Sequence, residues 1–418
     1  MPRSEPTPLT LLRRTHEAQV VELLRGLGAL SRAELGRRTG LSRTALSDII
    51  GSLIARSLVV TAPSPVPAQG PRGRGRPVDL LRLNPATGRC AGVDLGRGRV
   101  RVVVTNAAHE IIRSESRSCP ADIPWERRTR LAVELLDELL DGSTDGLEGI
   151  GVGIFGPVTT GTERAGTTTR LFGERFGVPV LADNNTRLAA LAEALHGAGA
   201  GTRHAVYVRL SHGVGGGLVV DGRLLRGAGG AAGEIGHIVA DPRGPRCHCG
   251  GRGCLELYAS LPAVEAAGGT GNDDAVRRAG RLTGRVLAGL CGAVNPELLV
   301  IGGELARCGD RLLGPLEEEL RARTLPAARL GLRVAVERLG DTGGALGAIA
   351  LVRQETRQET RRESRPEPGQ ETHRETHREA AREIRPEVRA PAVITASRPV
   401  GRSPEPAPRG CTGPVVSG

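Results

Sequence analysis

The 418-residue chain contains no lysine, so every basic side chain is arginine or histidine. Aromatic residues make up only 1% of it. An aromatic-rich core is thereby excluded, and the 39% of hydrophobic residues must build their cores from Leu, Val, Ile and Ala. No charged-then-apolar leader opens the chain, and no apolar run is long enough to span a bilayer. The expectation is a cytoplasmic protein with no membrane partner. Of the 8 cysteines, three crowd into Cys247–Cys254 and the rest are scattered. In a reducing compartment that spacing reads as a metal site rather than part of a disulfide framework.

Glycine is plentiful, with 60 residues, which points to many tight turns and backbone-lined sites. The net charge of +11 is unevenly placed. Residues 1–83 hold 13 arginines against 6 acids, a net of +7. The stretch from Leu351 onward holds 13 arginines against 10 glutamates, which leaves the long middle near neutrality. The basic excess is local to the first module, as expected of a module that meets phosphate.

Periodicity divides the chain into three parts. In residues 1–83, apolar Val20, Leu23, Leu24 and Leu27 mark one face of a helix over Leu12–Leu27. Ser31 is placed to cap a second helix, Arg32–Thr39, with Glu34 at the capping-box position and Gly40 as its stop. Ser42 caps a third, in which Leu46, Ile49, Ile50, Leu53 and Ile54 form the buried stripe. Two short helices joined by Thr39–Ser42 make a helix-turn-helix. Two short strands around a basic Pro/Gly/Arg loop, Ala62–Pro77, make a wing. Residues 84–352 alternate strands and helices, which argues for an α/β fold. Two glycine-turned hairpins, Cys90–Asn106 and Ala205–Val220, suggest a duplicated two-lobe architecture, with lobes at about 84–196 and 197–352. Residues 353–418 turn to Arg/Glu repeats and then proline, have little to bury, and are expected to be a disordered tail.

In a helix-turn-helix, the first exposed residues of the recognition helix meet bases and phosphates. These are Ser42, Arg43, Thr44 and Ser47. Arg72, Arg74 and Arg76 alternate with small residues in the wing loop, a strip that suits a narrow minor groove. The partner implied is a double-stranded DNA operator. A homodimer or dimer of dimers is expected, because one such unit reads too few base pairs. The competing reading makes residues 1–83 a dimerisation module with a soluble linker.

Cys247-x-Cys249-Gly-x-x-Gly-Cys254, with His237 ten residues before it, has the composition of a closed Cys3His zinc site. His248, between two ligands, is expected to point outward. With no open coordination position implied, the zinc would be structural rather than hydrolytic.

These residues carry a resemblance. Gly233-Glu234-Ile235-Gly236-His237 followed by the cysteine motif and Glu256 resembles the signature of the ROK family of repressors, open reading frames and sugar kinases. Val214-Gly215-Gly216-Gly217 and Asn295-Pro296-Glu297…Ile301-Gly302-Gly303 resemble its nucleotide-lobe segments. The helix-turn-helix and the Gly-Arg-Gly-Arg-Pro wing match its repressor branch, and the likeness covers about residues 10–350. It implies an actin-like, ribonuclease H-like α/β fold of the two-lobe ATPase type behind a winged helix-turn-helix. It implies a sugar or sugar-derivative effector held by Asn184, Glu234, His237 and Glu256, and a nucleotide site whose remnants are Asp94, Gly96, Gly215, Gly216, Gly302 and Gly303. Glu234 and Glu256 also fit a role confined to bracing the zinc loop.

The chain departs from the family's kinases. Where they carry the aspartate that deprotonates the sugar hydroxyl, counting back from Leu191 and Glu193 places Asn185, an amide without useful basicity. Asp94-Leu95-Gly96-Arg97-Gly98 replaces the first phosphate loop's small and hydroxyl residues with a bulky cation, which speaks against ATP binding. The sugar loop of the kinases is not recognisable in Thr159–Arg175. The resulting expectation is a sugar-gated transcriptional repressor of carbohydrate-related genes that has lost kinase activity. The alternatives are an ATP-dependent, glucokinase-like sugar kinase with an appended DNA-binding domain, and a ligand-independent DNA-binding scaffold.

Overall fold

A computed structural model describes residues 8–62, 79–159 and 161–363. Helix α1 (Pro8–Leu27) starts four residues earlier than the apolar pattern requires and stops at Gly28, whose φ of 77° suits glycine. Strand β1 (Leu30–Ser31) leads into α2 (Arg32–Thr39), where Ser31 Oγ accepts the Glu34 N–H at 3.1 Å. The Glu34 carboxylate accepts from Arg37 and Arg38 rather than completing a capping box. Gly40, at φ 69°, ends the helix. Helix α3 (Arg43–Ala55) is capped by Ser42 Oγ, which accepts the Ala45 N–H at 3.3 Å. Strands β2 (Val59–Ala62) and β3 (Leu80–Leu83) pair antiparallel, and β1 joins β3 on its other edge. Val20, Leu24, Leu35, Leu46, Ile49, Ile50, Leu53, Val59, Leu81 and Leu83 form this module's core. Each such side chain contributes about 1.5–3 kcal/mol on burial. Ile54, expected in the stripe, is instead exposed, because it lies one position around the helix from Leu53. The core also takes in Ala107, which belongs to the next part of the chain.

That part begins with β4 (Arg89–Leu95), β5 (Arg99–Thr105), β6 (Ile111–Ser118), α4 (Trp125–Leu139), β7 (Leu147–Ile154), α5 (Glu163–Phe176), β8 (Val180–Asn184) and α6 (Asn185–His196). It continues with β9 (Ala205–Leu210), β10 (Val214–Val220), β11 (Arg223–Leu224), the short helices α7 (Glu256–Ala259) and α8 (Leu261–Ala266), and α9 (Asp273–Val294). Then come β12 (Leu298–Gly302), α10 (Asp310–Arg323), α11 (Pro326–Arg329), β13 (Arg333–Val336) and α12 (Gly343–Glu363). Two five-stranded sheets result, ordered β6-β5-β4-β7-β8 and β11-β10-β9-β12-β13. In each, a meander of three antiparallel strands is extended by two parallel ones, so the duplication suggested by the hairpins is present in full.

The lobes do not divide at residue 196. Helix α6 packs on the second sheet through Ala189, Ala190 and Ala194 against Ala205, Tyr207 and Val219. Helix α12, from the end of the sequence, packs on the first through Ala345, Ile349 and Val352 against Cys90 and Val103. The two helices therefore cross between the sheets, where Leu188 and Leu191 meet Ala348, Ala350 and Leu351. The approach is close enough that a Cβ at Gly347 would land on the Leu188 carbonyl oxygen, and Cβ atoms at Gly92 and Gly151 would land on carbonyls of α12. The expected tail boundary at 353 also falls inside α12, which runs on to Glu363. Its apolar first half is anchored on the sheet, and the Arg, Gln and Glu of the repeat that follows are good helix formers. Residues 364–418, the rest of that expected tail, lie outside the described residues. Among the described residues no helix is long and apolar enough to cross a membrane.

Gly347→Ala is expected to lower stability by more than about 2 kcal/mol, the scale of a core that cannot relax. Gly289→Ala, on an exposed face of α9 with open space around it, is expected to raise it by up to about 1 kcal/mol. Chemical denaturation of the two variants checks the pair, and equal effects would contradict a helix crossing of this closeness.

Candidate functional site

The segment after β11 folds back on itself between His237 and Glu256. Gly250 and Gly253 adopt φ of 90° and 65°, and a Cβ on Gly253 would land on the Asp241 carbonyl oxygen. These turns bring the three sulfurs and one imidazole together. Cys249 Sγ lies 3.5 Å from Cys254 Sγ, Cys247 Sγ lies 3.7 Å from His237 Nδ1, and all four donor atoms fall within 4.8 Å of one another. A tetrahedral ion with bonds of about 2.3 Å to sulfur and 2.0–2.1 Å to nitrogen needs donors roughly 3.5–3.8 Å apart. The donor set fits. Burial, and then the neighbouring sulfurs, push the Cys254 thiol up to about 12, whereas the Gly251 N–H and then Cys254 lower that of Cys249. Three thiolates this close repel one another, and a bound divalent cation would remove the conflict.

Of the expected sugar contacts, His237 and Glu256 stand at this cluster. His237, His248 and Glu256 also have donor atoms within 4.8 Å of one another. His248 is exposed, as expected, yet its Nδ1 lies 3.6 Å from Glu256 Oε1, so it faces the candidate site. Glu256 Oε2 accepts the Val214 N–H at 2.8 Å, which ties the cluster to the glycine strand β10. Glu234 is half-buried at the start of the single turn that carries His237. Asn184 is committed elsewhere: its oxygen caps α6 by accepting the Thr186 and Arg187 N–H groups, and its Nδ2 donates to Gly156 O at 2.8 Å. Most of the unrecognisable Thr159–Arg175 segment is α5, with Arg164 over the rings of Trp125 and Phe155.

Asn185 Nδ2 donates to Asp94 Oδ1 at 3.0 Å, so the expected base position holds an amide bonded to the phosphate-loop carboxylate. Burial pushes the Asp94 carboxyl up, with the Asn185 hydrogen bond opposing it. Asp183, the neighbouring carboxylate, is paired on both of its oxygens. It is 2% exposed, Arg187 pairs with its Oδ1 at 2.7–2.8 Å, and Arg226 pairs with its Oδ2 at 2.6 Å. The sequence reading missed Arg187, although its spacing four residues after Asp183 on a helix start was the available signal.

The remaining nucleotide-lobe glycines are enclosed by the fold. Gly96 O accepts from Arg128 at 2.6 Å. A Cβ on Gly215 would press on Thr186, and one on Gly216 on Ile235 and the Gly233 carbonyl. The Gly303 N–H donates to Glu337 Oε1 at 2.9 Å, and Tyr207 OH to Glu337 Oε2 at 2.6 Å. Gly302 lies against the same Glu337 and Tyr207 atoms. A protein carboxylate thus already holds the backbone donor of that loop. At the basic module, Ser42, Arg43, Thr44 and Ser47 are all exposed on the first turns of α3. Arg72, Arg74 and Arg76 lie outside the described residues.

Two matching five-stranded sheets with crossed helices, and a Cys/His-rich loop at the edge of one, define a mixed α/β, two-lobe sugar-kinase-like protein. The ROK family model matches residues 90–273. A glucokinase of Halalkalibacterium halodurans is 31% identical over 319 residues, covering 63% of this chain and 94% of that protein. The chain belongs to the ROK family. A xylose repressor of Caldicellulosiruptor bescii is 25% identical over 389 residues, covering 82% of this chain and 96% of the repressor. A crystal structure of a ROK family transcriptional regulator, a homologue of the E. coli MLC protein, superposes with a TM-score of 0.68 at 24% identity, covering 85% of this chain and 99% of that one.

Two outcomes follow. A carboxyl whose pKa is higher in the folded chain than in the unfolded one costs stability as pH rises from its unfolded value, about 3.9, through its folded value. Asp94→Asn is therefore expected to melt above the wild type at pH 7.5, with the gap closing towards about pH 4; a gap constant with pH would contradict the burial account. Metal analysis is expected to find one zinc per chain, and Cys254→Ser is expected to lose both that metal and its contribution to the melting temperature. A melting temperature unmoved by chelation would remove the metal from the fold's support.

Proposed function

We propose that this chain is a DNA-binding transcriptional repressor of carbohydrate-related genes, gated by a sugar or sugar derivative and without kinase activity. The observation that carries the reading is the capped α2–α3 pair, which presents Ser42, Arg43, Thr44 and Ser47 to solvent ahead of sugar-kinase-like lobes. With β2 and β3 it makes a winged helix-turn-helix, residues 1–83 in extent, and the sequence between those strands contains Arg72, Arg74 and Arg76. The xylose repressor match spans about a fifth more of the chain than the glucokinase match, a difference close to that module's length.

Asn185 in the base position, with Asp183 held by two arginines, supports the loss of proton abstraction. Glu337 on the Gly303 N–H supports the loss of nucleotide binding, because an anionic ligand would meet a carboxylate there. The effector site proposed is the Glu234, His237 and Glu256 group, with His237 shared between it and a structural zinc completed by Cys247, Cys249 and Cys254. Zinc would supply no chemistry beyond fixing the loop that carries these groups. A homodimer reading palindromic half-sites completes the proposal.

The test is fluorescence anisotropy of the full chain on DNA from upstream of its own gene, with excess nonspecific competitor. Competitor-resistant binding released by one member of a panel of neutral sugars and sugar phosphates is expected. Arg43→Ala should weaken it by about 1–3 kcal/mol. Arg74→Ala with Arg76→Ala should also reduce the salt dependence. Binding that competitor abolishes, together with ATP-dependent phosphorylation of a sugar in a coupled assay, would replace this reading with the kinase one.

A further inference from the structure

Three consecutive residues in the middle of α12 reach three different parts of the molecule. Arg353, which is buried, donates to Asn106 O at 2.6 Å and to Thr105 Oγ1 at 3.1 Å. Gln354 Nε2 donates to Gly222 O at 2.8 Å, in the turn between β10 and β11 of the second lobe. Glu355 Oε1 lies 3.6 Å from Arg226, which begins the loop leading to Glu234 and His237.

Each contact continues further. The turn that Arg353 grips, Asn106–His109, is the one that enters the first module: Ala107 is part of that module's core, and its carbonyl accepts from Arg25 Nε of α1 at 3.0 Å. Gly88, at φ 66°, lies so close that a Cβ would meet that of Ala107 at 2.7 Å, so the seam has little slack. At the other end, Arg226 also pairs with buried Asp183, and Asp183 pairs with Arg187. The Arg187 guanidinium donates to Gly230 O in the Arg226 loop and, at 2.7 Å, to Val158 O after β7 of the first lobe. The loop carrying the proposed effector groups is thus latched to the first lobe by Asp183 and Arg187 and to α12 by Glu355.

We propose that the Arg226 latch and α12 together form the device that conveys the state of the effector loop to the DNA-binding module. Opening the latch releases Glu355, lets α12 shift against α6 at the Gly347 crossing, and moves the Arg353-held turn on which α1 rests. A packed crossing of this kind has discrete arrangements rather than a continuous range, which is what lets a contact at one end bias the other. The inference rests on the regulator reading for its biological meaning, but not for its mechanical test.

That test is hydrogen–deuterium exchange on the full chain, without ligand, for Arg226→Gln, Glu355→Gln and the double variant. Glu355 is about a third exposed and pairs only at that surface, so Glu355→Gln leaves the core intact and is the decisive variant, whereas Arg226→Gln also takes a partner from buried Asp183. Arg203→Gln, which breaks an exposed pair with Asp221 beside the same lobe's turn, is the control. Either latch variant is expected to speed exchange by on the order of tenfold both in residues 225–234 and in residues 20–27 and 105–109, within the usual range of coupling between sites. The double variant is expected to add little to Arg226→Gln, which already breaks the Glu355 pair. The control should act only near residues 203–222. Faster exchange confined to residues 225–234, with 20–27 and 105–109 at the wild-type rate, would overturn the proposal. On the upstream DNA, Glu355→Gln should change affinity by on the order of tenfold while Arg203→Gln leaves it unchanged. A wild type that binds no DNA specifically would sink the regulator reading and still leave the exchange result to decide the mechanical one.

Discussion

The crossing of α6 and α12 is the constraint on which the rest of the molecule depends. Each helix leaves the sheet it follows in sequence and covers the other, so neither lobe has a complete core of its own. The crossing is tight because Gly347 brings one backbone against the carbonyl of Leu188. A backbone contact of that kind resists gradual deformation, since any side chain would have to displace a peptide group. The start of α6 bears Asn185 and Arg187, and the far part of α12 bears Arg353 and Glu355. Both chemically distinctive ends are therefore positioned by one packing event.

Around that crossing several buried charges are satisfied within the chain. Asp94 is buried and bonded to an amide. Asp183 holds two guanidinium groups, and Glu337 accepts from the Gly303 backbone. Arg209 shows the same economy: burial works against its charge, but Tyr207, Asp94, Glu337 and Glu304 around it outweigh that and hold its pKa above the ordinary value. Charges satisfied by partners of the same chain have no need of a phosphate or a metal to balance them. Glu256 and His237 stand instead beside the cysteine cluster, with Glu234 half-buried three residues before His237.

Legibility followed the range of the interactions. Ser31 and Ser42 were readable as caps because a cap is a contact with a backbone N–H three residues away. The cysteine cluster was readable because its spacing is local and its chemistry narrow. Ile54 was misplaced by one position on a helix, a difference that only the module's packing resolves. Asn184 was read as a ligand contact by resemblance, whereas both ends of its side chain are taken by the α6 backbone and Gly156, the latter 28 residues away. The lobe boundary at 196 followed sequence order, and the swap of α6 and α12 does not.

By itself the sequence determined the helix pair with its exposed Ser42, Arg43, Thr44 and Ser47, the α/β alternation and the Cys3His donor set. These rest on residue type and on spacings of a few residues, where chain connectivity alone brings groups together. Only the tertiary structure decided that Arg187 would lock Asp183, that Glu337 would hold Gly303, that Ala107 would complete the first module's core, and that α12 would touch both that seam and the loop that begins at Arg226. Apart from the first, those contacts join residues 34 to 247 positions apart. The free energy that selects them comes from burying whole faces of helices and sheets, a quantity no short stretch of sequence contains.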